Sequence, residues 1–131
     1  MSPFNDAEQA VLLAFADDEH VMGQRHTEWI GVAPFLEEDL AFASIGQDEL
    51  GHAALLYELL AEGDADQLAF WRSPSEYRSC WLVEMACTDW ADALMRHWLY
   101  DEAELVRWVS LATSSAPELR GIAARALAEE V

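Results

Sequence analysis

Basic residues are scarce in this sequence: seven Lys plus Arg stand against 25 Asp plus Glu, a formal net charge of −18. Such a chain is repelled by phosphate backbones and by anionic lipid surfaces, so nucleic acid and membranes are excluded as partners. No stretch approaches the roughly 18 consecutive apolar residues of a membrane span. The first residues also lack the basic and apolar regions of a secretory signal. We therefore expect a cytoplasmic protein.

Cysteine, proline and glycine are also few, at two, four and six residues. Cys80 and Cys87, seven residues apart on a predicted helix, would lie about two turns or ~10 Å apart, beyond disulfide reach, so we expect reduced thiols. The scarce Pro and Gly leave long stretches of helix formers, and no strand pattern competes. A chain of 131 residues that is 53% hydrophobic suffices for one domain with a core. We predict a single all-α domain spanning residues 1–131.

Capping patterns mark where the helices begin. Asn5, Ser73 and Ser115 each stand three residues before a Glu, the spacing of a capping box. Gly31 and Gly63 interrupt the helical pattern between these starts. The signals predict four helices, at about residues 6–30, 35–62, 75–112 and 116–131.

Each predicted helix carries a glutamate on its inward-facing stripe, which follows steps of three and four residues. The first helix places Glu19 there, the third Glu102 and the fourth Glu130. The second places Glu49 and His52 one turn apart on one face, as a Glu-x-x-His pair. The predicted stripe of the third helix comprises Ala91, Met95, Trp98, Glu102, Leu105 and Val109.

A cluster of inward carboxylates is costly to bury unless it is paired, protonated or bound to metal. A di-metal site in a helix bundle takes one Glu from each of two helices and a Glu-x-x-His pair from each of the others. The predicted metal ligands are therefore Glu19, Glu49, His52, Glu102 and Glu130. The second His would fall at position 133, beyond Val131, so we expect the fourth helix to be truncated.

The predicted ligands are mostly carboxylates, a set that suits iron, with manganese as a second possibility. His26 lies two turns past Glu19, where it either supports the ligands as a neighbour or simply fills the core. His20 is expected to point away from the stripe and reach solvent.

Several segments resemble the phenylacetic acid catabolic protein family, whose members build the phenylacetyl-CoA epoxidase. The resemblance implies a ferritin-like antiparallel four-helix bundle and covers nearly the whole chain. Its subunits are of two types, a catalytic one with di-iron ligands that oxidises the aromatic ring of a CoA thioester with O2, and a structural one. The matching segments are Val21–Arg25, Glu28–Pro34, Leu36–Ala41, Ser75–Arg78 and Ala123–Leu127.

The two subunit types lead to different expectations. The segment Gln47–His52 resembles the catalytic type, and by that likeness Asp48 orients the imidazole of His52. The expected function is then a di-iron oxygenase subunit that activates O2, with a reductase as electron donor and an aromatic acyl-CoA as possible substrate. Segments of the first helix resemble the structural type, for which the alternative is a scaffold with vestigial ligands. A ferritin-like iron-handling or peroxidase protein is the third possibility. The expected assembly is a homodimer or a hetero-oligomer with a homologous oxygenase subunit.

Overall fold

The computed structural model describes residues 2–61 and 63–130, without the side chain of Glu130. Within these ranges the regular structure is helical and contains no strand, so the predicted all-α class is confirmed. None of the helices in this part of the chain is long and apolar enough to cross a bilayer. The α-helices are α1 (Asp6–Thr27), α2 (Leu36–Ala61), α3 (Ala65–Phe70), α4 (Trp81–Glu84), α5 (Trp90–Leu111) and α6 (Pro117–Glu130).

The chain divides into two compact units, Met1–Cys80 and Trp81–Val131. In the first unit α1 packs along α2, and α3 packs on α2; in the second, α5 packs with α6 and with the short α4. The predicted single domain stays a prediction.

The start of α1 follows from its capping residues. The Asn5 side chain accepts a hydrogen bond from the Glu8 N–H (2.8 Å), and the Glu8 carboxylate accepts one from the Asn5 N–H (2.9 Å). This reciprocal capping box satisfies two amide donors that the first helical turn leaves open. The predicted start of the first helix is therefore confirmed, although the helix ends at Thr27, earlier than expected.

Helices α1 and α2 run antiparallel and approach closely at two glycines. A Cβ atom on Gly23 would lie 2.7 Å from Leu50 Cγ and 3.0 Å from the Gly46 carbonyl oxygen. A Cβ on Gly46 would in turn lie 3.1 Å from the Gly23 carbonyl oxygen. Only a residue without a side chain allows this contact. It fixes the register at which the buried polar side chains of the two helices meet.

The helix predicted at 75–112 is wrong over its first part. Residues Pro74–Glu76 form one 3₁₀ turn, the chain is then extended, and a full-length helix begins only at Trp90. The buried carboxylates of Asp17 and Asp18 accept the backbone N–H groups of Arg78 (2.8 Å) and Cys80 (2.7 Å). These tertiary bonds satisfy backbone donors that a helix would otherwise satisfy internally. Cys80 and Cys87 accordingly lie outside helices.

The predicted stripe of the third helix is also wrong. The buried residues of α5 are Ala93, Arg96, Tyr100, Glu104 and Trp108. By contrast Trp98 is 57% exposed and Val109 is 55% exposed. Apolar side chains occur on both faces of α5, so hydrophobicity alone could not select the inner one. The face that is buried includes Arg96 and Glu104, two charged residues that the predicted stripe does not contain.

Candidate metal centre

Four titratable side chains are buried where α1 and α2 meet. Glu19 and His26 come from α1, and Glu49 and His52 come from α2. None is more than 2% exposed. The predicted inward placement of Glu19 is confirmed, and the apolar side chains Leu12, Phe15 and Met22 of α1 are buried as well. Charged groups removed this far from water need partners, because desolvation costs several kcal/mol for each ion.

The four side chains meet in two cross-helix pairs. His52 Nδ1 lies 3.6 Å from Glu19 Oε1, and His26 Nδ1 lies in short hydrogen-bond contact with Glu49 Oε1. The rings of Phe42 and His26 pack edge to face, with centroids 4.6 Å apart. Each carboxylate therefore has an imidazole against it, and an aromatic ring shields one of the pairs from water.

The pair of Glu19 and His52 fits a metal ion. Their atoms are too far apart for a direct hydrogen bond, whose donor and acceptor lie within about 3.2 Å. Two donors that each lie about 2.0–2.2 Å from one ion are separated by roughly 3–4 Å, which includes the observed 3.6 Å. Carboxylate oxygen with imidazole nitrogen is a donor set that iron and manganese accept. The residues present in the first unit thus suit the predicted metal.

His26, which was expected either to support the ligands or to fill the core, contacts Glu49. The short contact places His26 on a predicted ligand, as a group that can orient a carboxylate. Asp48, which the family likeness assigned to orienting His52, is half-buried, whereas His52 Nδ1 faces Glu19. The orienting role of Asp48 stays a prediction.

In the second unit the structure contradicts the inward placement of Glu102. This side chain is exposed, and the carboxylate that α5 buries is Glu104, at 2% exposure. A four-residue repeat of Arg96, Tyr100, Glu104 and Trp108 is the sequence signal that could have identified it. Glu130 is the last residue of α6, and its side chain lies outside the part of the chain that the structure describes.

A second buried polar network surrounds Asp17, which sequence reasoning missed. Asp17 is 0% exposed and accepts hydrogen bonds from the Tyr57 hydroxyl (2.6 Å) and Arg72 Nη1 (3.1 Å), with a further short contact from Arg72 Nη2. The Arg72 guanidinium also lies over the Tyr77 ring, 4.1 Å from its centroid. The available signal was the unbroken polar run Asp17–His20, which directly follows the apolar stretch Ala10–Ala16 in the same helix.

This network reaches His20, which was wrongly expected in solvent and is only 9% exposed. Its Nδ1 lies 3.3 Å from the Tyr57 hydroxyl, and its Nε2 lies 3.1 Å from the Gln24 amide nitrogen. Burial lowers the pKa of His20, although the negative charge of Asp17 opposes the shift. Burial also raises the pKa of Tyr57, and the hydrogen bond to Asp17 adds to the increase. Both side chains are therefore held in their neutral forms.

Comparison with known proteins identifies the family of this chain. Residues 4–131 match the family described as Phenylacetic acid catabolic protein. The chain is 40% identical over 124 residues to one of the subunits of the 1,2-phenylacetyl-CoA epoxidase of Escherichia coli (strain K12). That match covers 92% of this chain and 50% of the relative, so the chain spans about half the length of the curated relative. The chain belongs to the phenylacetic acid catabolic protein family.

Proposed function

We propose that this chain acts in a subunit of a phenylacetyl-CoA epoxidase-like multicomponent oxygenase in phenylacetate catabolism. Its fold in this proposal is a ferritin-like four-helix bundle that holds a di-iron centre, with manganese as a second possible metal. The observation that carries the proposal is the buried set of Glu19, Glu49 and His52, with His26 against Glu49. The relative named as an epoxidase subunit supports the reaction class.

The side chains of the first unit have separate roles in this proposal. Glu19 and His52 hold the metal, and Glu49 is a further ligand whose carboxylate is positioned by His26. On α5 the structure buries Glu104 and exposes Glu102, so Glu102 is a ligand only by the prediction from the sequence. Glu130 stays a ligand predicted from the sequence.

The bound metal would supply the oxidation–reduction chemistry that O2 activation requires. The chain itself fixes the donor atoms and keeps water away from them, because the four side chains are buried and Phe42 covers the His26 ring. A hydrogen bond through His26 Nδ1 holds a proton beside Glu49 Oε1. A reductase would deliver electrons, an aromatic acyl-CoA would be the substrate, and a homologous oxygenase subunit would be the partner.

The second candidate function is a scaffold subunit with vestigial ligands. The short contact of His26 with Glu49 favours it, because a protonated imidazole compensates a buried carboxylate without metal. Glu19 likewise has the imidazole of His52 beside it, at 3.6 Å. In that case the four side chains are a structural charge network.

Metal loading of the purified full-length protein distinguishes the two functions. After anaerobic incubation with Fe(II) and desalting, elemental analysis should find about one or more iron per chain, and the melting temperature should rise. Saturation to 100 times the dissociation constant would stabilise the fold by about 2.7 kcal/mol. Less than about a tenth of an iron per chain contradicts the metal centre and favours the scaffold.

Variants locate the bound metal. Glu49→Gln and Glu19→Gln keep the shape of the side chain and remove a charge, so each should lower the iron content at least several-fold. Glu37→Gln is the matched control, since Glu37 is an exposed glutamate in the first turn of α2. Equal iron in all three variants would show that the metal binds elsewhere.

A further inference from the structure

A pocket of about 240 Å³ lies between α2 and α3 in the first unit. It is separate from the cross-helix pairs at Glu19 and Glu49, whose side chains do not line it. Alanines of α2 and α3 provide the space, among them Ala53, Ala54 and Ala69. Side chains of this size leave room between two helices that larger residues would fill.

Three aromatic rings also line the pocket, together with Leu50 and Asp66. His20 and Phe70 meet edge to face with their centroids 5.3 Å apart, and His20 and Tyr57 do so at 5.8 Å. Phe70 and Ala54 are exposed, so the pocket opens to solvent beside them. A planar guest could contact ring edges and faces here in the offset or edge-to-face geometry that aromatic groups prefer.

The polar atoms of this wall are already engaged with the protein. The Tyr57 hydroxyl donates to Asp17, so His20 Nδ1 must donate to the Tyr57 oxygen, and His20 Nε2 accepts from the Gln24 amide. His20 and Tyr57 therefore present mainly their carbon atoms to a bound molecule. The remaining polar lining residue is Asp66, an exposed carboxylate that repels anions.

We propose that this pocket is a binding site for a small neutral aromatic molecule of one or two rings. The volume fits that class, since an apolar cavity of about 150 Å³ accommodates benzene in another protein. The site excludes carboxylated and CoA-linked aromatics, because none of the described residues that line it is a lysine or an arginine that would compensate their negative charge. It is thus a second ligand site that does not depend on the metal centre or on the proposed oxygenase activity.

Fluorobenzene is a suitable probe for the full-length protein, because its ¹⁹F resonance broadens and shifts on binding. We expect saturable binding, and nuclear Overhauser contacts from the ring to the methyl groups of Ala53 or Ala54 in the wild-type protein. Benzoate should bind at least ten times more weakly. Absence of saturable binding, absence of these contacts, or benzoate binding as tight as fluorobenzene would each overturn the proposal.

Filling the pocket gives a second, independent measurement. Ala54→Leu should weaken fluorobenzene binding at least tenfold, and Ala65→Leu on α3 should act similarly. Ala41→Leu is the matched control, because Ala41 is an exposed alanine of α2 outside the pocket. Far-ultraviolet circular dichroism verifies that each variant is folded. If a filled variant does not fold, the nuclear Overhauser contacts in the wild-type protein test the location of the bound fluorobenzene. Equal affinity in folded Ala54→Leu and Ala41→Leu proteins would place the guest elsewhere.

Discussion

Replacing Asp17 by alanine should destabilise the protein by about 4 kcal/mol. Asp17 is fully buried and faces Arg72, whose side chain is 8% exposed. Breaking a buried ion pair by removing one partner costs about 3–5 kcal/mol, because the remaining charge stays desolvated. The Tyr57 hydroxyl and the Arg78 N–H also lose their acceptor, each a loss of about 1–3 kcal/mol if water cannot replace it.

These losses do not add in full. Arg72 keeps its bonds to the carbonyl oxygens of Leu68 (2.7 Å) and Glu76 (3.0 Å), and its contact with the Tyr77 ring. Some of its charge is therefore still compensated in the variant, which is why we place the total near the middle of the ion-pair range. It is a large part of the roughly 5–15 kcal/mol that holds a domain together.

Urea unfolding followed by circular dichroism measures this change, and a double-mutant cycle isolates the pair. Asp17→Ala combined with Arg72→Met should cost less than the sum of the single changes, by about 2–3 kcal/mol. The control is Glu28→Ala, which removes the exposed 2.9 Å ion pair with Arg25 and should cost below about 0.5 kcal/mol. A loss below about 1.5 kcal/mol for Asp17→Ala, or additivity within about 0.5 kcal/mol, would refute the reasoning.

Three further predictions concern titration and packing. Because burial raises the pKa of Tyr57, this side chain ionises at a lower pH in the unfolded protein than in the folded one. The free energy of unfolding should therefore fall above about pH 10, by up to about 1.4 kcal/mol per pH unit. Urea titrations of the Tyr57→Phe variant should show a smaller fall. Burial lowers the pKa of His97, although the negative charge of Asp101 opposes the shift. The contribution of His97 to the free energy of unfolding is therefore present above about pH 6.5 and is lost as the pH falls. His97→Gln should therefore unfold with a weaker pH dependence between pH 7 and 5, and an unchanged slope would count against this account. Gly23→Ala should destabilise the protein by about 1–3 kcal/mol, because its Cβ would lie 2.7 Å from Leu50 Cγ. Gly51→Ala should instead raise the melting temperature, because a Cβ there would meet no neighbouring side chain within 4 Å and alanine favours the helix. The reverse order of stability would contradict the packing argument.

Local signals accounted for the helical class and for the inner faces of α1 and α2. The capping box at Asn5 and Glu8 depends only on residues close together in the chain, so the sequence alone predicted it. The inward placement of Glu19 was predictable because the residues around it on the same face are apolar, so the periodic pattern indicated a single buried face for α1.

Where the sequence pattern was compatible with more than one local structure or buried face, it did not predict the observed one. The pattern beginning at Ser73 suits a helix start, yet only one 3₁₀ turn forms there. The chain after this turn is extended, because the buried carboxylates of Asp17 and Asp18 bind its backbone. Local propensity is a weak prior, and tertiary context overrode it here. The same holds for Glu104, since α5 carries apolar residues on both faces.

The sequence by itself determined that the chain is helical and acidic, and that Glu19, Glu49 and His52 belong on inner faces. Only the tertiary structure decided which groups those side chains meet. It set His26 against Glu49 and His52 against Glu19, and it buried Asp17 with Arg72. The physical reason is that helical periodicity specifies a direction around one axis, whereas a contact also requires the register between two helices. That register is set by the approach of Gly23 to Gly46, which no periodic pattern contains.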